Sequence, residues 1–301
     1  MLTIVIPSYN HADYIADSLQ AALAVDVPGL KVLVIDDGSK DGSVDVVKAC
    51  IDREGAANKV TLIAKTNGGL VSSLNLALEM IDTEFCWVVA SDDILVSFGV
   101  KVLFEKIKDN AALSFIMGGG HYFDEQARGG EIYKKEHMSF FALEAAQRDR
   151  EIFLGYPSPL LLQSSIFRTD ALRKIGGWDP ALKWDDYPIF VKLLQRYRHR
   201  GQDFDFIPDV DCVAYRQHGE NSYRNIYSQY SMVCQAMNAL APADLRAKAI
   251  ARAFAFYALV ALKRRKLAFF RQAIKGASLR QIAWGFACIP MVATRYVLMK
   301  L

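Results

Sequence analysis

The chain has 301 residues, 52% of them apolar, and a formal net charge of +3, so it can bury a core in one large domain or two modest ones. Its five cysteines are odd in number and form no CxxC pair, which argues against a structural zinc site or a disulfide framework and for reduced, mostly buried thiols. The charge is divided. From Arg246 to Leu301 there are 12 Lys or Arg and no acid, and 36 basic residues less those 12 leaves 24 against 33 acids before it, a net of about −9. The chain opens on LTIVIP, a strand pattern, so no signal peptide is expected. Strands are predicted at Leu2–Ile6, Lys31–Ile35, Val60–Ala64 and Phe85–Ala90. Helices with apolar residues three and four apart are predicted between them at Asp13–Val25, Ser43–Arg53 and Leu70–Ile81. This alternation implies crossovers and a mostly parallel sheet, and the unbroken apolar character of the first two strands fits burial on both faces. Ser39 and Asp41 stand where they can cap the second helix.

After about Val100 the pattern loosens. Leu113–Met117 reads as a strand, Gly118–Gly120 and Pro157–Pro159 as irregular, and His121–Arg150 carries no clear period. Gln163–Arg168 is a further strand, followed by helices at Thr169–Ile175 and Asp185–Tyr197, and everything beyond about Ser228 reads as helical. The expected division is a catalytic domain over 1–227 and a basic, apolar tail over 228–301.

Two adjacent acid pairs, Asp36–Asp37 and Asp92–Asp93, close apolar strands. Acids at the carboxyl ends of strands face the crevice where open α/β sheets bind ligands. Paired carboxylates repel unless a cation or hydrogen-bond donors are supplied, which points to a metal and a polar, phosphorylated ligand. The series IVIPSYNHADYI, VLVIDDGSKDGS, KTNGGLVSSLNLAL, VVASDDIL, IGGWDPALKWDDYPIFVKL and YRQHGENS resembles the inverting family 2 glycosyltransferases of GT-A fold over roughly residues 2–225. No GxGxxG follows the first strand, which disfavours a dinucleotide fingerprint.

The resemblance implies an α/β GT-A fold, Rossmann-like with a mostly parallel sheet flanked by helices, and a helical C-terminal extension. It implies a nucleotide site of Pro7, Tyr9 and Asn10 with Asp36, Asp37, Lys65, Asn67, Gly69 and Asp92. There Tyr9 stacks on the base and Asp37 accepts its imide N–H, which favours UDP. It implies a Mn²⁺ or Mg²⁺ ion held by Asp92, Asp93 and His218, although Ala90 stands where many relatives carry a further acid, so Asp92 and Asp93 are held jointly. It makes Asp186 the base that deprotonates the acceptor hydroxyl, with Asp185 in support and Trp178 or Trp184 offered to an acceptor sugar. The helix N-terminus alone also accounts for the acid pair 185–186, and core packing for either tryptophan.

In the tail, Ala253–Leu262 is apolar for ten residues and runs into Lys263-Arg264-Arg265-Lys266, and Gln281–Thr294 is uncharged for fourteen. Both fall short of the roughly 20 residues that span a bilayer. Short apolar stretches edged with cations suit an anionic membrane surface, and a dimer-forming arm is the alternative; nucleic acid is disfavoured by the apolar content. The expected setting is a cytoplasmic enzyme at the inner face of the plasma membrane that builds a surface polysaccharide (O-antigen or capsule) on a lipid-linked saccharide. A catalytically idle sugar-nucleotide-binding scaffold is the other reading.

Overall fold

The computed structural model describes residues 1–124, 126–218, 225–275 and 279–298. It divides into two compact units, Met1–Lys134 with Pro159–His218, and Lys135–Ser158 with Gly219–Leu301. The stretch Lys135–Ser158, which the sequence places inside the catalytic domain, thus groups with the C-terminal helices.

The first unit starts as successive βα pairs: β1 (Leu2–Ser8), α1 (Ile15–Leu23), β2 (Lys31–Asp36), α2 (Ser43–Arg53), β3 (Val60–Ala64), α3 (Leu70–Met80) and β4 (Phe85–Val88). β1 lies parallel between β2 and β4, with Ser8 opposite Asp36 and Val5 opposite Val88. All seven of its residues are buried, as an apolar strand covered on both faces must be. The chain steps outward from β1 to β2 to β3, then returns to the far side of β1 to lay down β4. The order therefore reverses between β1 and β4, and the carboxyl ends of those strands open onto a crevice.

The sheet continues through β5 (Ile94–Leu95), α4 (Ser97–Asp109), β6 (Phe115–Phe123) and β7 (Arg128–Glu131). It is completed by β8 (Ser165–Arg168), α7 (Thr169–Lys174), α8 (Asp186–Arg196) and β9 (Phe204–Arg216). Among the described residues nine strands form one sheet, ordered β3-β2-β1-β4-β8-β6-β9-β5 with β7 beside β6. Gly118–Gly120 are not irregular but lie within β6. A Cβ on Gly119 would stand 1.9 Å from the Pro208 carbonyl oxygen, so glycine is what lets β9 approach. Helix α4 and strands β5, β7 and β9 have no counterpart in the sequence reading.

The second unit contains α5 (Lys135–Phe141), α6 (Ala145–Leu154), α9 (Ile226–Leu240), α10 (Ala243–Lys263), α11 (Ala268–Lys275) and α12 (Leu279–Leu298). Its core includes Ile226, Tyr230, Phe254, Ala258, Ala261, Phe269 and Ala273. The apolar run Ala253–Leu262 is thus split between a buried face, with Phe254, Ala255, Ala258 and Ala261, and an exposed one, with Phe256 and Leu262.

Candidate active site

Three loops at the carboxyl ends of β1, β2 and β3 lock together. Asp36 ends β2 buried, and its Oδ1 accepts the N–H groups of Gly38 and Ser39 at 3.1 and 2.9 Å while Oδ2 accepts the Ser39 hydroxyl. Ser39 therefore serves this turn and not as a cap for α2. It is Asp41 whose Oδ1 accepts the Ser43 N–H (3.0 Å). Asn10, just beyond β1, sits at φ 52, a left-handed conformation that asparagine tolerates better than most. Its N–H donates to Ser39 Oγ (2.8 Å) and its Oδ1 accepts the Lys40 N–H (2.9 Å), pinning the β1 loop to the β2 loop. Pro7 is buried within β1, and the neighbouring Tyr9 ring is 47% exposed at the mouth of the crevice.

Asp37 is held by the loop after β3. Its Oδ1 accepts the Gly68 N–H (2.9 Å) and pairs with the Lys65 ammonium, and its Oδ2 accepts the Gly69 N–H (2.8 Å). Burial pushes the Asp37 carboxyl up, but Lys65 and the two amides together hold it below the usual carboxylate range. The repulsion between Asp36 and Asp37 is thus met by donors on the protein itself. Asn67 is exposed between Lys65 and these glycines.

Beyond β4 the two acids part company. Asp93 is buried, with Oδ1 accepting the Arg216 N–H and Oδ2 accepting the Gln163 side-chain amide, each at 2.9 Å. Burial, with Asp92 adding, raises its carboxyl well above the usual range. Asp92 instead turns Oδ2 toward His218, whose Nε2 lies 2.9 Å away, while its backbone oxygen accepts Arg216 Nε–H (2.8 Å). His218 packs against Tyr14, ring centroids 4.8 Å apart, and edge-on to His11 at 6.3 Å; His11 Nδ1 is 2.7 Å from Ser91 Oγ. Residues 219–222, the rest of the YRQHGENS motif, lie outside the described residues.

Asp185 and Asp186 open α8, both half-buried. Asp186 Oδ1 accepts the Leu162 N–H at 2.8 Å. Burial raises both carboxyls, and the negative charges of Asp185 and Asp93 raise Asp186 further. Gln163, which holds Asp93, directly follows Leu162, which holds Asp186, so one turn ties the two acidic groups into a single frame. Trp184 is half-buried and stacks on Tyr187 at 4.7 Å and 19°. Trp178 does not join the site. It is 3% exposed and stapled to α3 through its backbone N–H and C=O, bonded to Asn75 at 3.0 and 2.9 Å, so it has no ring face to offer a sugar.

The structure thus brings Tyr9, Asn10, Asp37, Lys65, Asp92, His218, Asp185 and Asp186 to the carboxyl end of one sheet. It adds His11, Tyr14, Gln163 and Arg216. Arg216 places its guanidinium over Tyr14 (5.2 Å) and Phe123 (4.7 Å) and pairs with Asp17 (3.0 Å). His11, Tyr14 and Arg216 lie inside recognised motifs, so their position was available; their contacts with acids far along the chain were not.

The profile of "Glycosyl transferase family 2" matches residues 3–170, more than half of the chain. The chain belongs to that family. It is 20% identical over 192 residues to the poly-β-1,6-N-acetyl-D-glucosamine synthase of Staphylococcus epidermidis, covering 64% of this chain and 45% of that one. It spans about half the length of the curated relatives it matches. Among solved structures it is similar to S. aureus TarS 1-349 in complex with UDP-GlcNAc, with TM-score 0.61, 19% identity, and 83% of this chain and 70% of that one covered. It is similar also to the mannosyltransferase PcManGT of Pyrobaculum calidifontis in complex with GDP-Man and Mn2+, with TM-score 0.59, 18% identity, and 100% and 80% covered. These likenesses establish the GT-A fold expected from the sequence.

A divalent ion can be tested against this site. Among the described residues, no cluster of three or more His, Cys, Asp or Glu is arranged to hold a metal. Both Asp93 oxygens are engaged, whereas Asp92 and His218 present a carboxylate oxygen and a ring nitrogen to one another. The Asp92 carboxylate fits an ion completed by substrate phosphate oxygens and water, the usual way Mg²⁺ is bound, and the imidazole beside it is a softer ligand than Mg²⁺ favours.

Proposed function

We propose that the protein is an inverting glycosyltransferase that moves a sugar from a nucleotide-diphosphate donor, a UDP-sugar, to a hydroxyl of a lipid-linked saccharide in bacterial surface polysaccharide synthesis. The observation that carries this reading is the frame Asp93–Gln163–Leu162–Asp186, which fixes a half-buried acid at a set position relative to the acidic motif after β4. Asp37 supports the uridine assignment. An ionised carboxylate has about four acceptor positions; three donors occupy Asp37, which leaves room for one base N–H beside the exposed Tyr9 ring.

In this reading Tyr9 stacks on the base, Asn10 and Asp36 shape the loop beneath it, and Lys65 and the Asn67–Gly69 backbone lie toward the nucleotide. Asp92 and His218 would hold Mn²⁺ or Mg²⁺, which when bound neutralises charge on the departing diphosphate. Asp186 takes the proton of the acceptor hydroxyl as that oxygen attacks the anomeric carbon. The bond from that carbon to the diphosphate breaks on the opposite face, and the nucleoside diphosphate leaves with the bonding pair. Burial, with Asp185 adding its charge, keeps the Asp186 carboxyl raised, which makes it a stronger base once ionised. Activity therefore rises with pH as Asp186 loses its proton.

The test is Asp186→Asn. Turnover of UDP-sugars should fall by about 10²–10⁴-fold. Thermal stabilisation by UDP with Mn²⁺ should persist, at roughly 2.7 kcal/mol for ligand at a hundred times its Kd. Wild-type protein that is stabilised by UDP yet transfers no sugar to any acceptor would instead favour a nucleotide-binding scaffold.

A further inference from the structure

The helical unit carries a surface to which no residue of the candidate site belongs. Part of the acid-free charge between Arg246 and Leu301 is gathered at the corner where α10 turns into α11, and all seven residues 262–268 there are exposed. Four are the cations Lys263-Arg264-Arg265-Lys266, with Leu262 (51% exposed) and Leu267 (65%) on either side. Asp244, the last acid before them, is engaged by Arg150 at 3.6 Å.

The backbone of the corner closes α10 with two bonds, Lys266 N–H to the Ala261 carbonyl (2.8 Å) and Arg265 N–H to the Leu262 carbonyl (3.1 Å). In this helix ending the residue at positive φ is usually glycine, and the next is often an apolar group packed back on the helix. Here Arg265 holds φ 53 and Lys266 follows it. Cations thus occupy both positions where local stability favours other residues. Elsewhere in the unit α12 also exposes Trp284, Phe286 and Met291. No helix among the described residues is long and apolar enough to cross a membrane.

We infer that this corner docks the protein on the surface of an anionic lipid bilayer. The four cations meet the headgroup phosphates, and Leu262 and Leu267 enter the headgroup–acyl boundary. A second copy is a poor occupant, since it would bring an equally cationic corner. Nucleic acid is a poor one because leucines bracket the charge.

The test uses the full chain in flotation with phosphatidylcholine vesicles, with and without about 30% phosphatidylglycerol. Wild-type protein should float with the anionic vesicles alone, and less so as salt rises. The combined variant Lys263→Ser, Arg264→Ser, Arg265→Gly, Lys266→Ser should partition several hundredfold more weakly, at about fivefold per cation. Glycine relieves the left-handed conformation at φ 53, so the variant should keep its circular dichroism and melt no lower than the wild type. Leu262→Ser with Leu267→Ser should weaken binding about tenfold or more through lost apolar insertion. Three results would overturn the inference: failure of the wild type to float with anionic vesicles, equal flotation with neutral ones, or undiminished binding by the fourfold variant. A lipid-free dimer abolished by the same variant would assign the corner to a second copy.

Discussion

Replacing Gln163 by leucine probes the frame that joins the two acidic groups. The side chain is nearly isosteric and 8% exposed, so little volume changes. What is lost is the amide donor to Asp93 Oδ2, a carboxylate 2% exposed whose other oxygen depends on the Arg216 N–H. A hydrogen bond to a charged group is worth about 1.5–3 kcal/mol. A loss of about 2 kcal/mol should lower Tm by roughly 4–8 °C in a unit of this size. The pH dependence separates this cause from a packing defect. The folded Asp93 pKa is raised above the unfolded value, so between the two the folded state binds more protons and stability falls as pH rises. Gln163 favours the charged form, and its removal pushes the folded value higher still. The deficit of Gln163→Leu should therefore be largest at pH 8 and shrink toward acid pH, where Asp93 is protonated in either protein. Urea melts from pH 4 to 8 read this directly. Turnover should also fall, with KM for the donor little changed, because the neighbouring Leu162 N–H positions Asp186. A variant as stable as the wild type at pH 8 with unaltered kcat would refute the reasoning, and so would a deficit independent of pH.

Lys65→Met should weaken UDP binding and flatten the acid limb of the stability profile. The folded Asp37 pKa is depressed, so its contribution is present above the unfolded value and lost as pH falls through the folded one; an acid titration of stability that is identical in both proteins would contradict this. Asp92→Ala should abolish the Mn²⁺ dependence of nucleotide stabilisation and cost little stability. Asp93→Asn should do the reverse, since one amide end can accept only one of the two donors, and calorimetry with and without chelator distinguishes them. Arg265→Gly alone should stabilise the helical unit by about 1 kcal/mol by relieving its left-handed conformation, read by chemical denaturation.

How much was legible varies with the kind of contact. Val60–Ala64 and Ser43–Arg53 occur in the structure with the bounds read from the sequence, because a short β-rich run between polar residues and an amphipathic helix are both local patterns of the chain. Strand β9, FDFIPDVDCVAYR, carries three aspartates and an internal proline that argue against a strand. It forms because three glycines in β6 admit its backbone, a condition set some ninety residues earlier. Trp178 illustrates the converse, since a tryptophan beside two glycines suits a sugar platform as well as a core, and only its burial, with its backbone tied to Asn75, decides.

The sequence by itself determined that acids stand at the carboxyl ends of alternating strands and belong to a family 2 motif series, since strand ends and motif spacing are local properties of the chain. Which of the two acids is taken up by donors on the protein itself was decided only by the tertiary structure. Asp92 and Asp93 are adjacent and chemically identical, but Gln163 and the Arg216 backbone, 70 and 123 residues further along, converge on Asp93. Burial and those two donors commit it to the frame, while Asp92, one residue earlier and less buried, meets His218.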